Sequence, residues 1–154
     1  MDIRAGLPSD AEAVASLIAS FQSELTDDPS GAGAESYLAS VSVDAEREYL
    51  ASARYRYLLA FVESELAGCI AIRDGFHLFH LFVGREHQRQ GLGRRLWQQA
   101  LQELCTPNSE GVLTVNSSLS AVPVYRALGF VPVDSTQSAH GISFVPMQRP
   151  ASLQ

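Results

Sequence analysis

At 154 residues the chain has the size of one domain, and with 46% hydrophobic residues it can bury a core of its own. A formal charge of −6 with no lysine among its 11 basic residues argues against nucleic acid as a partner, because the arginines at 85, 89, 94 and 95 gather at one loop, too local to follow a phosphate backbone. No apolar run approaches the roughly 18 residues that span a bilayer, and Met1-Asp2-Ile3-Arg4 lacks a basic segment leading into an apolar one, so no membrane partner is expected and the location predicted is the cytoplasm.

In chain order, Ile3-Arg4-Ala5 reads as a short strand, and Ser9 with Glu12 reads as a capping box that opens a helix running to about Leu25. Thr26 to Gly33, rich in Asp, Pro, Ser and Gly, is a loop, and Ser42 caps a second helix to about Ala53. Tyr57–Val62 and Leu66–Ile72 are apolar runs joined by a Glu63-Ser64-Glu65 turn, and Phe76–Val83 follows the Asp74-Gly75 turn, so three antiparallel strands succeed one another. A helix from Gly91 to about Cys105 is followed by a strand at Gly111–Asn116 and a helix at Ser118–Leu128 ended by Gly129. Phe130–Val133 and Ile142–Met147 close the pattern as a pair of strands, and Arg149–Gln154 reads as a frayed tail to a domain of residues 1–148.

The most informative stretch is Gln88-Arg89-Gln90-Gly91-Leu92-Gly93-Arg94, set between a strand and a helix. Two glycines let a backbone approach a ligand closely, and the first N–H groups of the helix lack intrahelical partners, which makes a seat for a pyrophosphate. A dinucleotide fingerprint needs a small residue where this chain has Leu96, and a Walker loop needs a Lys-Ser/Thr pair that a lysine-free chain cannot supply. Arginines at 85, 89, 94 and 95 suit a pyrophosphate and one further phosphate, the pattern that coenzyme A carries.

This segment resembles the acetyl-CoA motif of the GNAT superfamily of N-acetyltransferases, Arg/Gln-x-x-Gly-x-Gly/Ala. A second resemblance follows in the correct order, with Asn116 and then Tyr125-Arg126-Ala127-Leu128-Gly129-Phe130 similar to that family's Asn-to-Tyr-x-x-Leu-Gly-Phe signature. The resemblance covers nearly the whole chain. It implies a single-domain α/β (α+β) fold with a mixed, mostly antiparallel sheet of about seven strands and four helices, strands four and five splaying to admit the pantetheine arm. It also implies an acetyl-CoA-dependent N-acetyltransferase in which an amine of a small molecule or peptide attacks directly in a ternary complex, with no metal, and it leaves homodimer formation open. The alternative is a catalytically weak CoA-binding regulatory or interaction module.

By the same resemblance Gln88, Arg89, Gln90, Gly91, Leu92, Gly93 and Arg94 hold the pyrophosphate, with Arg85 or Arg95 either reaching phosphate or solvated. Leu81 and Val83 pair with pantetheine through their main chain, and the N–H of Phe82 or Val83, turned by a strand-four bulge, meets the thioester oxygen. Tyr125 is the general acid for the departing thiolate, its reference pKa of about 10 keeping a proton available at pH 7. Asn116 bonds the pantetheine arm or forms a turn. His77 and His80 are the candidate bases, lying on opposite faces by simple alternation unless a bulge changes the parity, with a water chain as the rival.

Other titratable groups carry less. His87 and His140 read as surface or loop residues, and Glu63 and Glu65 as a solvated turn. Cys69 and Cys105 lack metal or disulfide spacing and read as inert core thiols, against a Cys-His hydrolase. Residues 1–50 hold ten acids against Arg4 and Arg47, an excess that serves solubility or attracts a cationic amine.

Overall fold

The computed structural model describes residues 1–150. Strand β1 is Asp2–Ala5, and four helices follow it: α1 (Ala11–Ala19), α2 (Gln22–Leu25), α3 (Glu35–Ser40) and α4 (Val43–Ala51). The meander predicted by alternation is β2 (Tyr55–Val62), β3 (Glu65–Arg73) and β4 (His77–Val83). Then come α5 (Leu92–Glu103), β5 (Val112–Ser118), α6 (Val122–Ala127), β6 (Val131–Pro132), β7 (Gln137–Ala139) and β8 (Ile142–Pro150). Among the described residues the eight strands and six helices thus exceed the expected seven and four. Strand β8 takes in Arg149 and Pro150, the first two residues of the segment read as tail, and 151–154 lie outside the described residues. Among the described residues no helix is long and apolar enough to cross a membrane.

Three local differences have physical causes. Asp10, not Ser9, organises the first helical entry: its carboxylate accepts the Leu7 N–H at 2.8 Å and holds Arg4 through two bonds of 2.8 and 2.9 Å, while Glu12 stays in solvent. The long first helix breaks after Ala19, where the Ser20 hydroxyl bonds the Leu17 carbonyl and Phe21 turns inward to stack on Phe82 at 5.7 Å. The predicted Ser42 cap is made, its Oγ accepting the Ala45 N–H at 3.2 Å, but the extra helix α3 precedes it.

One sheet, ordered β1-β2-β3-β4-β5-β8-β6 with β7 paired to β8, carries cores on both faces. On one face Val14 and Ile18 of α1 pack on Tyr57, Leu59, Cys69 and Ala71. On the other, Leu92, Leu96 and Ala100 of α5 pack on Leu58, Ala60, Ile70 and Ile72. That second packing is close because Gly68 has no Cβ, which would sit 2.9 Å from the Phe82 carbonyl oxygen and 3.2 Å from Leu96. The adjoining β4 and β5 are parallel and joined only at His77–Thr114 and Leu78–Val115, so they diverge as expected.

Candidate active site

The divergence of β4 and β5 opens two cavities that share a wall. One, of about 580 Å³, runs from Val83 along the 88–94 loop to Val124 and Tyr125. The other, of about 270 Å³, reaches Arg73, His77, His80, Asn116 and Phe144. Tyr125, Leu81 and Phe82 line both. Leu25, Ser118 and Ala121 line both as well, so a group held in one cavity meets a group held in the other along this shared wall.

In the larger cavity the loop is shaped by two left-handed residues, Arg89 at φ 63° and Gly91 at φ 81°, and α5 begins directly after. The N–H groups of residues 89–94 donate to no carbonyl among the described residues, so they form a run of open donors at a helix start. Arg89 and Arg94 are exposed at the same rim. Gly93 is not demanded by packing, since a Cβ there would meet only Val83 at an ordinary 3.6 Å. Gln88 lies exposed along the strand end and donates from Nε2 to the Val83 carbonyl at 3.0 Å, tying loop to strand. Arg85 is exposed but tied to the first helices, since it bonds Glu24 at 2.9 Å and the Ser20 carbonyl at 3.2 Å and lies over the Phe21 ring.

Backbone phase decides which β4 groups face the cleft. The Gly84 N–H bonds the Ala67 carbonyl at 2.8 Å and Phe82 is opposite Cys69, so by alternation Phe82 points its main chain at β3. Leu81 and Val83 then present theirs to the open edge. Of the two residues expected to offer an N–H to the cleft, Phe82 has its main chain turned to β3 and contributes its ring, while Val83 keeps the open edge together with Leu81, which lines both cavities. The bulge also lies earlier than expected, since His80 pairs Ala71 while Leu78 pairs Ile72, leaving Phe79 as the extra residue.

Tyr125 is aimed by the Leu128-Gly129-Phe130 stop. Gly129 at φ 97° lets the Phe130 N–H bond the Tyr125 carbonyl at 3.0 Å and the Gly129 N–H bond Arg126 at 3.0 Å, a Schellman closure. Phe130 is thereby buried edge-on against the Tyr125 ring at 5.9 Å and against Trp97 at 5.5 Å. The hydroxyl meets no protein partner among the described residues, and burial pushes its pKa well above the ordinary phenol value.

The two histidines differ sharply. His77 has Nδ1 2.8 Å from Thr114 Oγ1, and burial, helped by the Arg73 charge, pulls it down to about 4. His80 is buried with Nε2 3.0 Å from Glu46 Oε2, and the Tyr57 hydroxyl donates to the other oxygen at 2.7 Å. Asn116 is exposed on β5 beside the smaller cavity, paired with Pro146. Cys69 is wholly buried, and that burial raises its thiol pKa far above the ordinary range.

Glu46 was missed from sequence, although a signal existed. On α4 it shares the stripe of Val43 and Leu50, and an acid on a core-facing stripe needs partners. Those partners stand in rank across three strands: Tyr57 pairs Ala71, and Ala71 pairs His80. The small Ala71 between two rings leaves room for the carboxylate.

The family model described as acetyltransferase (GNAT) domain matches residues 25–150. N-acetyltransferase family 8 member 3 of Rattus norvegicus is 32% identical over 98 residues, 56% of this chain and 43% of that protein, so the match spans under half of that relative's length. Among solved structures, a GCN5-related N-acetyltransferase from Rhodopseudomonas palustris superposes with a TM-score of 0.75 over 97% of this chain and 94% of its own at 20% identity. PaiA N-acetyltransferase from Thermoplasma acidophilum, in complex with coenzyme A, gives 0.73 over 97% and 99% at 17% identity. At such identities the two structures share the fold.

Proposed function

From the premise that the chain belongs to the GNAT acetyltransferase family, we propose that it moves an acetyl group from acetyl-CoA to a primary amine of a small molecule or peptide by direct attack in a ternary complex. The observation that carries this reading is the meeting of the two cavities at Tyr125 and Leu81. Membership of the family supports acetyl transfer from acetyl-CoA, and the roles below are our assignment.

The diphosphate sits against the N–H groups of Gln90 to Arg94, with Arg89 and Arg94 neutralising charge, and a further phosphate remains in their reach. Pantetheine pairs with the open main chain of Leu81 and the N–H of Val83, whose carbonyl Gln88 holds, as an added strand, and the Asn116 amide serves the same arm from β5. The Leu81 N–H then meets the thioester oxygen, where negative charge grows during attack.

An alkylamine arrives protonated, and freeing its lone pair at pH 7 costs about 4–5 kcal/mol unless a base or the site assists. His80 is the better-built base. In the tautomer whose Nε2 donates to Glu46 Oε2, Nδ1 offers a lone pair. His77, held near 4, is a poor proton acceptor at neutral pH. His80 takes one proton from the ammonium, the freed nitrogen bonds the carbonyl carbon, the C–S bond breaks and the thiolate takes the Tyr125 proton; the second nitrogen proton is shed as the amide forms and restores Tyr125, and His80 returns its proton to solvent. Burial weakens Tyr125 as an acid, but the same apolar wall disfavours the thiolate, which narrows the gap between donor and acceptor. We assign the reaction to the cytoplasm, where Cys69 and Cys105 stay reduced.

The test joins calorimetry of acetyl-CoA binding with thiol release across a panel of amines. Binding with amine-dependent release is expected; acetyl-CoA binding that is lost on Gly93→Asp locates the seat. Acetyl-CoA binding without thiol release from any amine would refute the proposal.

A further inference from the structure

The smaller cavity has an unusual charge balance. No Asp or Glu lines it among the described residues, and its one permanent charge is Arg73 at the end of β3. The adjacent Asp74 is not a full counter-ion, because Arg54 holds both its oxygens, at 2.8 Å from Nε and 3.1 Å from Nη2. Arg73 Nε lies 3.7 Å from Asp74 Oδ2, beyond hydrogen-bond length, and is buried without an acceptor. The guanidinium instead leans over the Phe79 ring at 5.9 Å. A cation that shares its ion-pair partner with Arg54 and makes no hydrogen bond among the described residues, in a wall with no other permanent charge, is arranged for an anion.

Register fixes where that anion would sit. Arg73 stands between Tyr55 and His77 across the sheet, two residues along β3 from Ala71, so it shares a face with the Tyr57–Ala71–His80 rank. The positive charge is therefore one step along the sheet from the proposed base, inside a cavity of about 270 Å³ that suits a ligand smaller than drug size. The Arg73 charge is felt there, contributing to the depressed pKa of His77.

Resting on the acetyl-transfer reading above, we propose that the acceptor is a small amino carboxylic acid, its carboxylate on Arg73 and its amine between His80 and Tyr125. Polycationic acceptors fit badly, since a second ammonium group would find Arg73 in place of a carboxylate. The acidic N-terminal half does not reverse this, as none of its acids lines the cavity among the described residues.

The experiment compares matched pairs, each amino acid against the amine left when its carboxylate is removed, together with a polyamine, by thiol release. Amino acids should show the higher kcat/KM. Arg73→Gln should raise KM for the amino acid by about 10- to 100-fold, as loss of a charged hydrogen bond does, with kcat and the KM of the decarboxylated amine little changed. Arg73→Lys should recover part of the loss. Preference for the decarboxylated amine or the polyamine, or a preference untouched by Arg73→Gln, would overturn the acceptor class and leave acetyl transfer standing. If no amine is acetylated, the transfer reading fails separately. The carboxylate seat is then judged by calorimetry of an N-acetyl amino acid added to the CoA-loaded protein: binding weakened by Arg73→Gln supports it, and absence of binding refutes it.

Discussion

Replacing Tyr125 with Phe should move stability and catalysis in opposite directions. The ring is held by Phe130 at 5.9 Å and by its place on α6, and Phe keeps both. The hydroxyl is different: it bonds no protein group among the described residues although the residue is only 7% exposed. Carrying such a group into an apolar wall costs about 1–3 kcal/mol when it is wholly unpaired, less where it touches cavity water. Tyr125→Phe is therefore expected to fall between no change and about 2 kcal/mol of added stability. At about 2–4 °C per kcal/mol for a chain of this size, the melting temperature should hold or rise by up to about 8 °C. Acetyl-CoA affinity should persist, because the proposed grip lies in the 88–94 loop.

Turnover should fall by about 10²- to 10⁴-fold, the usual scale for a lost general acid. Thermal unfolding, calorimetry with acetyl-CoA and thiol release measure the three quantities on one sample. A melting temperature lowered by several degrees would mean that the hydroxyl is tied to the fold. Unchanged kcat would remove Tyr125 from the chemistry.

Glycines separate ligand demand from packing demand. Gly93→Asp should change unfolding little, since a Cβ there meets only an ordinary contact, yet abolish CoA binding, whereas Gly93→Ala, which the resembled motif admits, should keep it; Gly68→Ala should cost about 1–3 kcal/mol through its 2.9 Å approach to the Phe82 oxygen. Equal effects on folding would contradict that division. His77 is held near 4 against an ordinary 6.5, so below pH 6.5 the unfolded chain takes up a proton that the folded chain refuses. Stability should fall by up to about 3 kcal/mol as pH drops from about 6.5 to about 4, and His77→Gln should flatten that slope in urea titrations. Glu46→Ala strands Tyr57 and His80 together and should cost about 3–5 kcal/mol, lowering the melting temperature by about 10 °C. Glu46→Gln, which keeps one acceptor, should lose less, and a benign Glu46→Ala would show that the buried carboxylate is not needed.

The phosphate half of the site is legible because its chemistry is local. Two glycines, a strand before and a helix after occupy one short stretch, and the open N–H groups follow from helix geometry alone. The Tyr125 stop is equally local, since Gly129 and the bonds it permits lie within five residues. The same holds for the meander, whose Glu63-Ser64 turn takes φ of 51° and 70° as a tight hairpin requires. The break after Ala19 is less legible, because Phe21 leaves the helix for a ring on β4, sixty-one residues on.

The acceptor half depends on register, which the sequence does not state. His77 and His80 differ in spacing by three and would face opposite ways in a regular strand; the extra residue Phe79 alters that parity and puts His80 in rank with Ala71 and Tyr57. Only then does the odd acid on α4 acquire partners, and only then does Arg73 become a neighbour of the base rather than the end of a strand. A one-residue bulge at the point where β4 leaves β5 thus does two things at once. It frees the edge we assign to pantetheine, and it turns the imidazole toward a buried carboxylate, so the proposed cofactor seat and the proposed base share one backbone irregularity. A change that removed the bulge would disturb both, whatever side chains it left in place.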